Sequence, residues 1–293
     1  MMLGRVVVAQ SSAGQTAGNF LNIGVGARAA GMGGAFTAVA EGATATYWNP
    51  AGLTDVTKGA IEISHFEWYQ DITVEHLSFA YNINDNSVVG AFVTYINYGL
   101  INGFDVNGQS TGELAASDWV GGLSFAFKLT DNISFGLNGK YINQTLDNST
   151  GNAMAADLGF KYTADKVSIA GYLGNFGTDM DFNGYKEKIP TAGRLGLAFR
   201  PYGSKILTAV EIEKQFDGNL IMRQGVELTL KDQYYIRTGF NYAPDADNSI
   251  GSGMTFGAGV DLNLAQINYS FTPSENYSSE EIHRISLAFK FGQ

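Results

Sequence analysis

The chain has 293 residues, of which 37 are Gly and none is Cys, and its net charge is −10. Charged residues make up 16%, below the ~25% of soluble domains. A mean hydropathy of −0.05 without a long apolar run excludes a helical membrane protein, and the acidic balance argues against nucleic acid as a partner. The high Gly and aromatic content is typical of a transmembrane β-barrel; composition alone leaves a soluble all-β sandwich or propeller open.

Residues 1–9 contain too short an apolar run for a complete signal peptide. Val7 and Ala9 nevertheless satisfy the small-residue rule for cleavage before Gln10. We interpret residues 1–9 as the remnant of a signal peptide or, alternatively, as a mobile N-terminus.

The next stretch is rich in Gly and Ala, and residues 20–53 read FLNIGVGARAAGMGGAFTAVAEGATATYWNPAGL. Small residues allow backbones to approach closely, and Asn49-Pro50 predicts a turn because Pro disfavours the α region in the residue before it. The stretch has too much Gly for a stable lone helix and too much apolar surface for solvent. It is therefore predicted to be enclosed by the rest of the chain.

The pattern GARAAGMGGAFTAVA…ATYWNPAGL resembles the N-terminal segment of the FadL-like outer-membrane barrels and, within them, the PorV/PorQ family most closely. The resemblance implies an all-β fold, a transmembrane antiparallel barrel of about 14 strands over residues 59–293. It further implies that residues 10–58 form a hatch inside the lumen. The hatch residues are then expected to include Arg28, Gly31, Gly33, Gly34, Trp48, Asn49, Pro50 and Ala51.

Alternation of apolar and polar residues recurs from Ala60 to the end of the chain. Most of the alternating segments have the length that a tilted strand needs to cross a bilayer, whereas sandwich strands are nearer five or six residues. The length therefore favours a membrane barrel. The fourteen predicted strands are 59–69, 72–83, 87–97, 117–129, 133–145, 152–163, 166–176, 191–200, 204–214, 220–230, 233–242, 252–262, 264–272 and 282–292.

Links between the predicted strands alternate between tight turns and mostly longer loops, as in outer-membrane barrels. The longer links include 98–118, 177–190, 243–251 and 273–281. An even number of strands places both ends of the barrel on the short-turn side. We therefore expect the outer membrane of a Gram-negative-type cell, with both termini periplasmic.

One face of the strands carries charges of both signs, which predicts ion pairs between the lumen wall and the hatch. The opposite face ends in aromatic residues suited to the interfacial girdles. The charged residues of the first face are Lys128, Lys140, Asp157, Lys161, Arg194, Arg200, Glu211, Arg223, Glu227, Arg237, Asp261 and Arg284.

Two segments match the residue patterns of known functional motifs but lack the structural context that these motifs require. Residues 108–112 fit the G-x-S-x-G pattern but lie in a polar link between two strands, without the strand–turn–helix context of a nucleophile elbow. Residues 24–29 fit a dinucleotide-binding pattern without a βαβ unit around it. His65, His76 and His283 have no metal-ligand spacing. We therefore expect no enzyme, no catalytic residue, no cofactor and no metal.

Three functional hypotheses remain. The resemblance implies an outer-membrane protein that acts through type IX secretion components or cargo. The broader resemblance to FadL implies uptake of hydrophobic small molecules, and the third hypothesis is a structural barrel. Outer-membrane lipid is a partner in all three, and nucleic acid in none.

Overall fold

The computed structural model describes residues 16–68, 72–216, 218–243, 253–273 and 281–292. The predicted signal remnant 1–9 and most of the predicted loops 243–251 and 273–281 lie outside these ranges.

The described residues form a closed antiparallel barrel of fourteen strands, as the alternation predicted. The first barrel strand closes the ring by pairing with the last one, from Gly59 opposite Phe291 to Phe66 opposite Arg284. In chain order, the strands are β1 Gly59–Glu67, β2 Thr73–Asn84, β3 Ser87–Phe104, β4 Ser110–Lys128, β5 Ile133–Leu146, β6 Ser149–Ala164, β7 Val167–Gly177, β8 Met180–Phe182, β9 Tyr185–Glu187, β10 Ala192–Phe199, β11 Ile206–Gln215, β12 Leu220–Leu230, β13 Tyr234–Tyr242, β14 Gly253–Asp261, β15 Ala265–Thr272 and β16 Ile282–Phe291.

Two of these strands are not part of the barrel wall. β8 and β9 form a short hairpin in the link between β7 and β10, and Asp181 of β8 pairs with Asn152 of β6. The sequence had predicted only a loop at 177–190, because three-residue strands are too short to show alternation.

The prediction of a long link at 98–118 was wrong in its extent. β3 continues to Phe104 and β4 begins at Ser110, so the two strands pair beyond the neighbouring β2, with Leu100 opposite Ala115 and Ile101 opposite Leu114. The segment reads as a loop because it is polar and contains Gly. Strands that pair with each other outside the membrane do not contact lipid, so they need no apolar face and do not show the alternation that predicts a strand.

The alternation separates the two faces of the wall. On β10, Leu195 and Leu197 point outward and are exposed, whereas Arg194, Gly196 and Ala198 point inward and are buried. The inward residues are buried because residues 16–56, which we call the N-terminal segment, pack against them.

The N-terminal segment contains only short helical turns. They are α1 Ala27–Gly31, α2 Ala45–Trp48 and the 3₁₀ turns Asn19–Asn22 and Pro50–Asp55; a further 3₁₀ turn, Gly203–Lys205, joins β10 to β11. None of the helices among the described residues has the length and apolarity needed to cross a membrane.

Candidate functional site

Glycines of the wall face glycines and other small residues of the N-terminal segment. A Cβ on Gly257 of β14 would lie 3.1 Å from the Cα of Gly31, and a Cβ on Gly239 of β13 would collide with the backbone of Gly33. A Cβ on Gly225 of β12 would similarly lie 2.5 Å from the carbonyl oxygen of Met32. Gly in a strand often marks the close approach of another backbone, and here that backbone is the segment.

Asn49, Pro50 and Ala51 pack against the opposite side of the wall. The Asn49 side chain accepts a hydrogen bond from the Ala51 amide at 3.1 Å, which caps the 3₁₀ turn that begins at Pro50. Its Nδ2 donates to the carbonyl oxygens of Thr37 and of Phe160 on β6, each at 3.1 Å. Asn49 thus joins the turn, the rest of the segment and the wall through one fully buried side chain.

Arg28 connects α1 to the wall through an ion pair. Its Nε and Nη2 donate to the two carboxylate oxygens of Glu227 on β12 at 2.8 and 2.9 Å, and Arg237 of β13 donates to the same carboxylate at 2.6 Å. Arg28 also contacts Glu41 within the segment at 2.5 Å. Burial raises the pKa of Glu41, but the charge and hydrogen bond of Arg28, together with the charges of Lys161 and Lys290, outweigh that effect and lower the pKa to about 2.

A second wall carboxylate binds the backbone of the segment. Oε2 of Glu211 on β11 accepts hydrogen bonds from the amides of Phe36 and Thr37 at 3.1 and 2.8 Å. Arg223 of β12 donates to Oε1 of the same carboxylate at 3.0 Å. The carboxylate therefore bridges an inward-facing cation and two amides of the segment.

Gly33 and Gly34 make the tight turn that follows α1. Both have positive φ, of 65° and 76°, which favours Gly. The Gly33 amide donates to Thr255 Oγ1 on β14 at 3.0 Å. The turn is thus fixed both by its backbone conformation and by the wall.

Trp48 lies in the interior of the segment, where it holds its two halves together. Its indole Nε1 donates to the Val25 carbonyl at 3.0 Å, and its ring meets Phe36 edge-on at 5.7 Å between centroids. The guanidinium of Arg194 lies 5.4 Å from the ring centroid. Trp48 therefore contacts both the segment and, through Arg194 of β10, the wall.

The start of the segment lies at the long-loop side of the barrel. The Ala17 amide donates to the Lys188 carbonyl at 3.0 Å, and the Gly18 amide donates to Gln144 Oε1 at 3.2 Å. Ala17 belongs to an apolar cluster that includes Phe20, Leu21, Phe66, Phe92, Ile96, Val120, Met180 and Ile189.

The enclosed cavity beside this cluster is small. Its volume is about 20 Å³, and its lining combines Phe20 and Phe92 with an ion pair of 2.7 Å between Lys140 and Asp157. A volume of this size holds about one water molecule. The described residues also contain no group of three or more His, Asp or Glu side chains arranged to hold a metal ion.

Sequence reasoning placed Glu211 and Glu227 in the lumen but did not identify their partners in the segment. It also missed Gly225 and Gly257 as contact residues. The sequence contained a signal for these two residues. Gly recurs at inward positions of otherwise regular strands, and this indicates that another backbone approaches the inner face.

Comparison with known proteins gives a match over most of the chain. The family model described as "Type IX secretion system protein PorV" matches residues 7–244. None of the curated proteins matches the chain.

Solved structures of the same fold extend over nearly the whole chain. The toluene transporter TodX of Pseudomonas putida is 14% identical, covers 90% of this chain and 96% of its own, and has a TM-score of 0.67. A FadL homologue of Pseudomonas aeruginosa is 10% identical, with coverages of 92% and 99% and a TM-score of 0.64. The monoaromatic hydrocarbon channel CymD is 13% identical, with coverages of 92% and 98% and a TM-score of 0.67. At these identities the likeness concerns the fold, a FadL-like outer-membrane barrel.

Proposed function

Because this chain belongs to the PorV family of type IX secretion proteins, we propose that it is a plugged outer-membrane barrel that acts through protein partners in type IX secretion. The family match carries the proposal. The packing of the lumen supports it, since the cavities beside Phe20 and Arg28, of about 20 and 40 Å³, are far too small for a folded or extended polypeptide. Cargo would therefore pass outside this barrel, and the barrel would present or receive it. This role is not enzymatic.

In this proposal the hatch is the segment predicted at residues 10–58, of which residues 16–56 lie against the inner wall. Support comes from contacts on opposite sides of the barrel. Pro50 lies against Gly136 of β5, and Gly31 lies against Gly257 of β14, which is seven strands away around the ring. A segment held on both sides blocks the lumen between them.

The test of the secretion role is made in a host whose type IX cargo can be followed. Deletion of the gene should retain cargo in the periplasm, and an affinity-tagged full-length chain should copurify with components of the secretion system after mild crosslinking. An unrelated outer-membrane barrel with the same tag serves as the control. Normal secretion after deletion, with no copurifying component, would refute the proposal.

The proposed orientation places the short turns and both ends of the barrel wall, Gly59 and Phe291, in the periplasm, whereas Ala17 lies at the long-loop side. The natural chain has no Cys, so single Cys substitutions report on orientation without background. Val106 lies fully exposed in the link between β3 and β4, and Asp131 lies exposed in the turn between β4 and β5. An impermeant maleimide added to intact cells should label Val106→Cys and leave Asp131→Cys unlabelled until the cells are opened. The reverse pattern would invert the orientation.

Uptake of hydrophobic small molecules is the second candidate, favoured by the apolar cluster around Phe20 and Phe92 at the long-loop side. A ring the size of toluene exceeds the cavity of about 20 Å³ beside it, so uptake would require the start of the segment to move. Proteoliposomes that contain the protein should then accumulate labelled toluene faster than empty liposomes. A crosslink between Cys residues introduced at positions 17 and 188, whose backbones are hydrogen-bonded, should abolish the difference. Equal accumulation in both kinds of liposome would exclude this candidate.

A further inference from the structure

A groove of about 800 Å³ runs over the outer face of the barrel between β4 and β11. Its walls are formed by apolar side chains that point toward the membrane, among them Leu158, Phe160, Leu195 and Ile212. Lys214 is the cationic residue at its margin that points outward. The groove lies outside the lumen and is separate from the contacts of the N-terminal segment.

The groove exists because two outward positions of neighbouring strands are occupied by Gly. Gly171 of β7 lies between Phe160 and Leu195, and Gly193 of β10 lies between Leu173 and Lys214. A Cβ on Gly171 would meet only Leu195, at 3.7 Å, and one on Gly193 would meet nothing closer than 4.0 Å. Neither residue has a positive φ. Within the described parts of the chain, neither backbone conformation nor packing requires Gly there, so the open space is available to a molecule outside the chain.

The position and chemistry of the groove indicate what that molecule is. The outer face of the barrel is surrounded by lipid hydrocarbon, which wets an apolar groove without competition from water. Lys214 lies one residue before the end of β11, at the long-loop rim where the wall meets the headgroup region, and its exposed Nζ donates to the Gly218 carbonyl at 2.8 Å. A cation at that level attracts an anionic headgroup.

A polypeptide is a poorer fit. Every barrel strand from β4 to β11 is paired on both sides over the groove, so no strand edge is free to bind an added strand. Only side-chain contacts would be available to a peptide, whereas a lipid requires no more than apolar contact and one charge. We propose that the groove binds the hydrocarbon chain of a membrane lipid whose anionic headgroup is held by Lys214.

The test measures lipid retained by the purified full-length protein in native mass spectrometry. The probes are phosphatidylglycerol and phosphatidylcholine with identical acyl chains. The wild type should retain phosphatidylglycerol about fivefold more than phosphatidylcholine, the factor expected for one cation near an anionic headgroup. Lys214→Gln should remove this preference, and the double variant Gly171→Leu with Gly193→Leu should lose both lipids by filling the groove.

Gly139→Leu is the matched control, because it adds an outward Leu on β5 outside the groove, where a Cβ meets nothing within 4 Å. This variant should retain lipid like the wild type. Equal retention by the wild type and the double Leu variant would overturn the proposal. So would a wild-type dimer that the double Leu variant abolishes, since a second copy would then occupy the groove.

Photocrosslinking tests the same site without any substitution. Phosphatidylglycerol with a diazirine in its acyl chain should label peptides that contain Leu158 and Leu195 several-fold more than peptides from β13 and β14 on another part of the wall. Uniform labelling around the barrel would contradict the proposal even if a Gly variant failed to fold.

Discussion

Residues 16–23 of the N-terminal segment contact the wall mainly through apolar side chains, whereas residues 27–55 add buried ion pairs and hydrogen bonds to their apolar contacts with the wall. Phe20 and Leu21 meet Phe92 and Val120 at the long-loop side. Arg28 instead pairs with Glu227 of the wall. Apolar contact is not directional, but an ion pair or a hydrogen bond holds atoms in one register. The difference implies that the later part fixes the position of the segment and that the start is the part able to move.

Deletion of residues 20–53 should have the largest effect, because it removes both kinds of contact at once. The barrel should change from nearly non-conducting to an open pore in planar lipid bilayers. Heat-modifiable mobility on gels establishes that the deleted protein still forms a barrel. A folded but closed deletion protein would mean that wall side chains fill the lumen, and porin-like conductance of the intact protein would mean that the segment does not block it.

Glu227→Gln tests the charged part alone. The substitution keeps the shape of the side chain but leaves the guanidinium groups of Arg28 and Arg237 without their shared carboxylate. Removing one member of a buried ion pair costs about 3–5 kcal/mol, which should appear in the free energy of unfolding in denaturant. Glu75→Gln is the control, since its partner His65 and Glu75 itself are half exposed on the outer face, and it should cost no more than about 1 kcal/mol. Equal losses would show that the lumen pairs do not anchor the segment.

Gly33→Ala tests the close backbone contact. The added Cβ would lie 2.7 Å from the Phe240 amide nitrogen, in a turn with a φ of 65°. Gly42 has the same φ but nothing within 4 Å, so Gly42→Ala carries only the conformational cost of about 1–2 kcal/mol. Gly33→Ala should lose a further ~1–3 kcal/mol through overpacking. Identical losses in thermal or denaturant unfolding would mean that the segment adjusts freely at this point.

Phe20→Leu should have the smallest effect. Leu is also hydrophobic, and the contacts within the apolar cluster are not directional. We therefore expect the free energy of unfolding to fall by less than about 1.5 kcal/mol and expect no new conductance. A loss larger than that of Gly33→Ala would reverse the comparison and make the start of the segment its main anchor.

Much of the fold could be predicted because a barrel strand repeats one simple rule. Leu195, Leu197 and Phe199 alternate with Arg194 and Gly196, so both the strand and its inner face were predicted from the chain alone. The resemblance through GARAAGMGGAFTAVA and YWNPAGL identified the family. The extents of β3 and β4 could not be predicted, because strands that leave the membrane lose the alternation that lipid imposes.

The contacts of the site could be predicted only by residue type. The alternation along the strands predicted that carboxylates and cations face the lumen. It does not show which of these side chains contacts the irregular N-terminal segment. That Glu211 binds the amides of Phe36 and Thr37 depends on how the segment folds between its two ends. The same is true of Asn49, whose turn was predicted but whose bond to Phe160 was not.

The pairing of β1 with β16 gives the protein an order of assembly. Gly59 and Phe291 meet across this seam, and their separation along the chain makes it the costliest contact of the wall to form by loop closure. Gly59 also follows the N-terminal segment almost directly, so the segment is tethered to the strand that completes the ring. A newly made chain can therefore lay its wall around the segment and close last. Pairing of β1 with β16 then closes the barrel around the segment, so the segment is enclosed during biogenesis and does not have to enter a barrel that is already closed.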